Sequence, residues 1–169
     1  MFIIYLLIKL EQHLCTHKLR TLYPIELIFY LPLTILPLNS LSYLLLSVLF
    51  VLSWMDLRLQ AISDRLIILF FCVIALHYFY NPIPIEPISL IIILFLYLIA
   101  RYTKGFGMGD VYILFGLSFI LNLNDFLFVL RNSFYLGLVF ELIKKTKTSF
   151  AFIPYIYLSL ILFLILNLY

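Results

Sequence analysis

The sequence predicts an all-α integral membrane protein, a polytopic bundle of about seven spans. Three observations carry that prediction. First, of 169 residues, 66% are hydrophobic and only 11% are charged, more apolar surface than a soluble domain of this size can hide. Second, the apolar residues fall in successive runs separated by short polar or proline-rich connectors. Third, lysine and arginine collect in alternate connectors, which is how membrane topology is written into sequence.

A membrane-crossing helix needs about 20 mostly apolar residues, and the runs divide on that scale. Met1–Leu10 is too short to cross and is expected to lie at the interface. It carries Lys9 and lacks a small-residue cleavage site, so it does not read as a signal peptide. Residues 11–21 are polar. Residues 1–21 therefore form a cytosolic or interfacial N-terminal remnant, and 22–169 the membrane domain. Leu22–Leu38 is the first expected span, and Asn39-Ser40 a turn. Leu41–Met55 is the second, ending at Asp56, with a polar loop over Leu57–Arg65. Leu66–Tyr80 is the third. The prolines of Asn81–Pro87 forbid a continuous helix there. Ile88–Ala100 is the fourth span, Arg101–Asp110 a glycine loop, and Val111–Leu123 a short fifth span closed by a turn at Asn124-Asp125. Phe126–Ile143 is the sixth, interrupted by Arg131 and Asn132. Lys144–Ser149 is a basic loop, and Phe150–Leu168 the seventh span.

With the N-terminus in the cytoplasm, the positive charges sort themselves. Lys9, Lys18, Arg20, Arg58, Arg65, Arg101, Lys104, Lys144, Lys145 and Lys147 all fall inside, and the outer turns contain no lysine or arginine. Only Arg131 stands apart. The net charge of +3 is no nucleic-acid signal; the expected surroundings are lipid, and the expected location is the cell membrane. Two cysteines, Cys15 and Cys72, give no disulfide framework, and Cys72 is expected to pack as a small hydrophobe.

Two acids stand at the cytoplasmic edge of spans, Asp56 and Asp110. An acid there is expensive, which makes it a functional candidate. Gly105, Gly107 and Gly109 precede Asp110 at alternate positions and account for three of the five glycines in the chain. Glycines let backbone approach something closely, here a substrate strand. Two carboxylates brought together share a proton, so one can donate to a carbonyl while the other draws a proton from water. That is aspartyl peptide hydrolysis. The bland alternative is a pair of solvated helix-edge acids.

Several stretches resemble the type IV prepilin peptidases. Ser53-Trp54-Met55-Asp56 with Ile62-Ser63-Asp64-Arg65 is similar to their first active-site motif. Gly105–Asp110 is similar to the Gly-x-Gly-Asp signature. Phe152-Ile153-Pro154-Tyr155 resembles a late Pro-Phe-x-Pro-Tyr/Phe element, and Arg20–Glu26 an Arg-Tyr-Pro-x-x-Glu segment. The resemblance runs from about Tyr5 to the C-terminus and is nearest to the small competence-type enzymes. It implies a membrane aspartic endopeptidase that trims the basic leader of prepilins and pseudopilins at the cytoplasmic face. Asp56 and Asp110 fall on its catalytic aspartates and Asp64 on its accessory acid; Gly105, Gly107 and Gly109 support Asp110.

The sequence departs from that pattern in places. The cysteine-paired cytosolic loop associated with N-methylation is almost all missing, which puts methylation in doubt. His13, Cys15 and His17 supply too few ligands for zinc, so neither metal nor cofactor is expected. Tyr112 stands where the family has lysine, and Ser63 where it has proline. These departures motivate the alternative of a non-catalytic membrane scaffold descended from such an enzyme.

Overall fold

The structure is a computed structural model, and it describes residues 40–60, 62–103, 107–144 and 151–167. The interfacial segment, the polar stretch, the span over Leu22–Leu38, Gly105 and the basic loop after Lys144 lie outside the described residues. Within them there are six α-helices and no strand: α1 (Ser40–Leu59), α2 (Asp64–Tyr80), α3 (Pro87–Tyr102), α4 (Met108–Leu117), α5 (Leu123–Lys144) and α6 (Ile153–Asn167). Of these, α1 alone is long and apolar enough to cross a membrane by length and composition.

Helix α1 is the axis of the bundle. Every residue from Leu45 to Asp56 is buried, against α2 on one side and α6 on another. Helix α6 in turn packs along α5, and α4 lies between α2 and α3. The centre is filled by large side chains such as Tyr157, Phe70, Phe126 and Phe152. The rings of Phe50 and Tyr157 meet edge to face at 5.9 Å, joining α1 to α6.

The surface is inverted relative to a water-soluble bundle. Ile88, Ile91, Leu94 and Phe95 line the outside of α3, and Tyr135, Leu138, Val139 and Leu142 the outside of α5. Meanwhile Ser47, Ser53, Asp56, Ser89, Asp110, Ser118, Ser133 and Ser159 are buried. Several of the buried serines resolve their own hydroxyls by donating to a carbonyl one turn back, as Ser47 does to Tyr43 and Ser133 to Val129.

Several expectations from the sequence shift. Helix α1 runs one turn past Asp56, so the α1–α2 connector is confined to residues 60–63 and Asp56 sits inside a helix. Helix α4 ends at Leu117, and the chain turns over 118–122 rather than at Asn124-Asp125. Those two residues instead open α5, where Asp125 complements the positive end of the helix. Arg131 and Asn132 do not interrupt α5: Asn132 Nδ2 donates to the Phe128 carbonyl at 2.9 Å, and the Arg131 guanidinium lies over the Phe128 ring. Cys72 is exposed rather than packed, because α2 buries the stripe of Leu66, Phe70, Val73 and Ile74. The proline connector is as expected, with Pro87 in the first turn of α3, where its missing N–H costs nothing.

Candidate active site

Four helix ends converge at one end of the bundle. The last turn of α1 carries Asp56, and the first turn of α4 carries Asp110. The connector before α2 places Ile62 against Gly109. The first turn of α6 reaches Asp56. At the opposite end, the rings of Tyr78 on α2 and Phe119 in the turn after α4 meet at 6.4 Å. Helices α2 and α4 therefore run parallel, with both N-termini at the end that holds the acids.

Asp56 is 8% exposed and Asp110 5%. They belong to different helices, yet the charge of Asp56 acts on the Asp110 carboxyl. The two acids that the sequence singled out thus lie buried at the same end of the bundle.

Each carboxylate is held by backbone. The Ile153 N–H donates to Asp56 Oδ2 at 3.2 Å, with the Phe152 backbone amide beside the same carboxylate. Asp110 Oδ2 accepts from the Gly107 N–H at 3.1 Å, while the Asp110 N–H donates back to the Gly107 carbonyl at 3.2 Å. Asp110 is therefore the third residue of α4 reaching back to its N-cap, one half of a capping box.

The glycines are required for space rather than for unusual dihedrals. No described glycine has positive φ; Gly107 sits at φ −79 and ψ 141. A Cβ on Gly107 would lie 3.0 Å from Asp110 Oδ2. One on Gly109 would lie 2.0 Å from Ile62 Cδ1. The room beside Gly109 is thus occupied by Ile62 and not left open for a substrate strand.

Asp64 is exposed at the first position of α2, where it complements the helix dipole, outside the buried pair. Tyr112 is 42% exposed on α4. Among the described residues no group of histidines, cysteines and acids could hold a metal. Sequence reasoning missed the backbone amides of Phe152 and Ile153. Pro154, a residue at home in the first turn of a helix, was the available signal that α6 begins at that point.

Two buried acids on two helices, each accepting from a backbone amide, can hold and exchange protons away from bulk water. The profile of the type IV leader peptidase family matches residues 43–142, which include both acids and the glycines before the second. The chain belongs to the type IV leader peptidase family. No curated protein and no solved structure matches it. Leader peptidases of this family are membrane-embedded proteases that act on prepilin-type substrates. The matched segment stops before α6, so the contact between Asp56 and Ile153 lies outside it.

Proposed function

We infer that this chain is a polytopic membrane aspartic endopeptidase that removes the basic leader of prepilin-like proteins, competence pseudopilins among them, with Asp56 and Asp110 as its catalytic pair. The observation that carries the reading is the burial of two acids within reach of one another's charge in an otherwise apolar bundle. One carboxylate takes a proton from a water whose oxygen attacks the scissile carbonyl carbon. The other, protonated, passes its proton to the carbonyl oxygen. The tetrahedral diol collapses as the first carboxyl gives its proton to the departing amide nitrogen and the second takes the proton of one hydroxyl, which becomes the new carbonyl, so the pair returns to its starting protonation.

The end of the bundle that holds the acids faces the cytoplasm in this reading. The turns at 81–86 and 118–122, at the opposite end, contain no lysine or arginine, whereas Arg58, Arg65 and Arg101 cluster near the acid-bearing end. A prepilin would lie with its apolar helix against the exposed faces of the bundle and its basic leader in the cytoplasm.

The test is co-expression with a competence-type prepilin, followed by the mass of the pilin N-terminus. Loss of the leader with the wild-type chain, and its retention with Asp56→Asn or Asp110→Asn, is the expected result. Full processing by either single variant would sink the paired-acid mechanism. An intact leader with wild-type protein present in the membrane would favour the non-catalytic scaffold. The same spectrum reads whether the new N-terminus carries a methyl group.

A further inference from the structure

The first turn of α6 has few donors to offer, and one of them goes to an acid on another helix. An α-helix begins with N–H groups that lack intrahelical partners. In α6 the Tyr155 N–H is taken by the Phe152 carbonyl at 3.0 Å, and Pro154 has no N–H to give. The Ile153 N–H donates to Asp56 Oδ2 at 3.2 Å, and the Phe152 amide lies beside the same carboxylate. The turn is itself clamped. Phe152 and Ile153 are wholly buried, and the Phe152 ring packs on Phe134 of α5 with centroids 4.9 Å apart. Helix α6 thus lies alongside α1 with its first turn at the one acid α1 buries.

We propose that the Phe152-Ile153-Pro154 turn is the positioning element of Asp56: its Ile153 amide fixes the Asp56 carboxylate toward Asp110, and Phe134 holds the turn in place. The inference rests on the peptidase reading of Asp56 and Asp110. It adds α6 and α5, through backbone rather than side-chain chemistry, to the machinery of cleavage.

Proline substitution isolates the amide. Ile153→Pro deletes the N–H that bonds Asp56. Proline is well suited to the first helical position, and the residue before it stands at the N-cap, where an extended backbone is usual and tolerates a following proline. Ile153→Val removes similar side-chain volume and keeps the N–H. The assay uses the full chain purified in detergent and a synthetic peptide with a basic leader and an apolar helix. Asp56→Asn and Asp110→Asn are run alongside, so that failure of the peptidase reading is seen separately.

The expected result is a kcat for Ile153→Pro lower than for Ile153→Val by about tenfold to a hundredfold, the loss of one hydrogen bond to a charged group. KM should stay within about threefold, because the turn touches the acid and not the substrate. A second pair covers the case in which Ile153→Pro does not fold. Phe134→Leu should lower kcat at constant KM. Phe163→Leu, which loosens the same α5–α6 seam at its Phe128 contact 6.0 Å away between centroids, should not. Equal kcat values within either pair of folded variants, with both aspartate variants inactive, overturn the positioning role while leaving the peptidase intact. Cleavage that survives Asp56→Asn removes the reading beneath it.

Discussion

Replacing Gly109 by alanine separates two explanations of the glycine beside the second acid. If the glycine leaves room for a substrate, alanine damages binding and no change elsewhere helps. If it leaves room for Ile62, trimming Ile62 restores what alanine removes. The added Cβ would stand 2.0 Å from Ile62 Cδ1, 3.3 Å from Cγ1 and 3.8 Å from Cβ. Carbon atoms rest at about 3.5–4.0 Å, so Cδ1 must swing away while Cγ1 gives only slightly. Displacing a terminal methyl into another rotamer or a strained one costs about 0.5–1.5 kcal/mol, and the crowding of the half-buried Ile62 raises the total toward about 2 kcal/mol. The alanine gains up to about 1 kcal/mol of helix propensity in return. The net loss is about 1 kcal/mol, which lowers the melting temperature by about 2–4 °C for a chain of this length. Ile62→Val deletes Cδ1 alone. The double variant Ile62→Val, Gly109→Ala should therefore be more stable than the sum of the singles, by about 1 kcal/mol of coupling. Thermal unfolding in detergent measures the coupling, and prepilin cleavage by the four proteins measures its consequence. Additive losses of stability, or a double variant that folds as well as Ile62→Val yet cleaves no better than Gly109→Ala, would refute the packing account and return Gly109 to the substrate.

Three further outcomes follow from the same geometry. Gly116→Ala should be more damaging to the fold than Gly109→Ala, by about 1–3 kcal/mol: its Cβ would meet Phe70 Cε1 at 2.4 Å and Cζ at 3.0 Å, atoms of a fully buried ring, and the drop in melting temperature checks it. Gly107→Ala places a methyl 3.0 Å from Asp110 Oδ2; kcat should fall about tenfold with the melting temperature within about 2 °C of wild type, since the contact is with the acid and not the core. Asp64→Asn should leave kcat within about threefold and cost about 0.3–1 kcal/mol of stability, the helix-end contribution of an exposed first-turn acid, and a large loss of cleavage would place Asp64 in the site after all.

The legible part of this protein was written in hydropathy and in the spacing of rare polar residues. Apolar runs located α1, α2, α3, α5 and α6 to within a few residues, because a helix in this bundle must be apolar whichever way it faces. That same uniformity hid the ends. With leucine and isoleucine on every side, nothing in Val111–Leu123 marked Leu117 as the last residue of α4. Nor did the acid after Met55 reveal that α1 continues for another turn, since a helix can carry a buried acid where another helix supplies its hydrogen bonds. Asp56 and Asp110 were conspicuous because carboxylates are rare in such a chain; their braces were not, because Phe152 and Ile153 contribute backbone amides that every residue but proline possesses. The glycines were seen, but not that Ile62 stands beside Gly109: sequence shows that a side chain is missing and not what fills the space. Filling it with Ile62 gives the short α1–α2 connector a role that composition could not suggest. It ties the entrance of α2 to the first turn of α4, as the amides of α6 tie that helix to the last turn of α1. The pair of acids is then held by two separate braces, one through packing and one through hydrogen bonds, and a change in either should reach the chemistry without passing through the substrate.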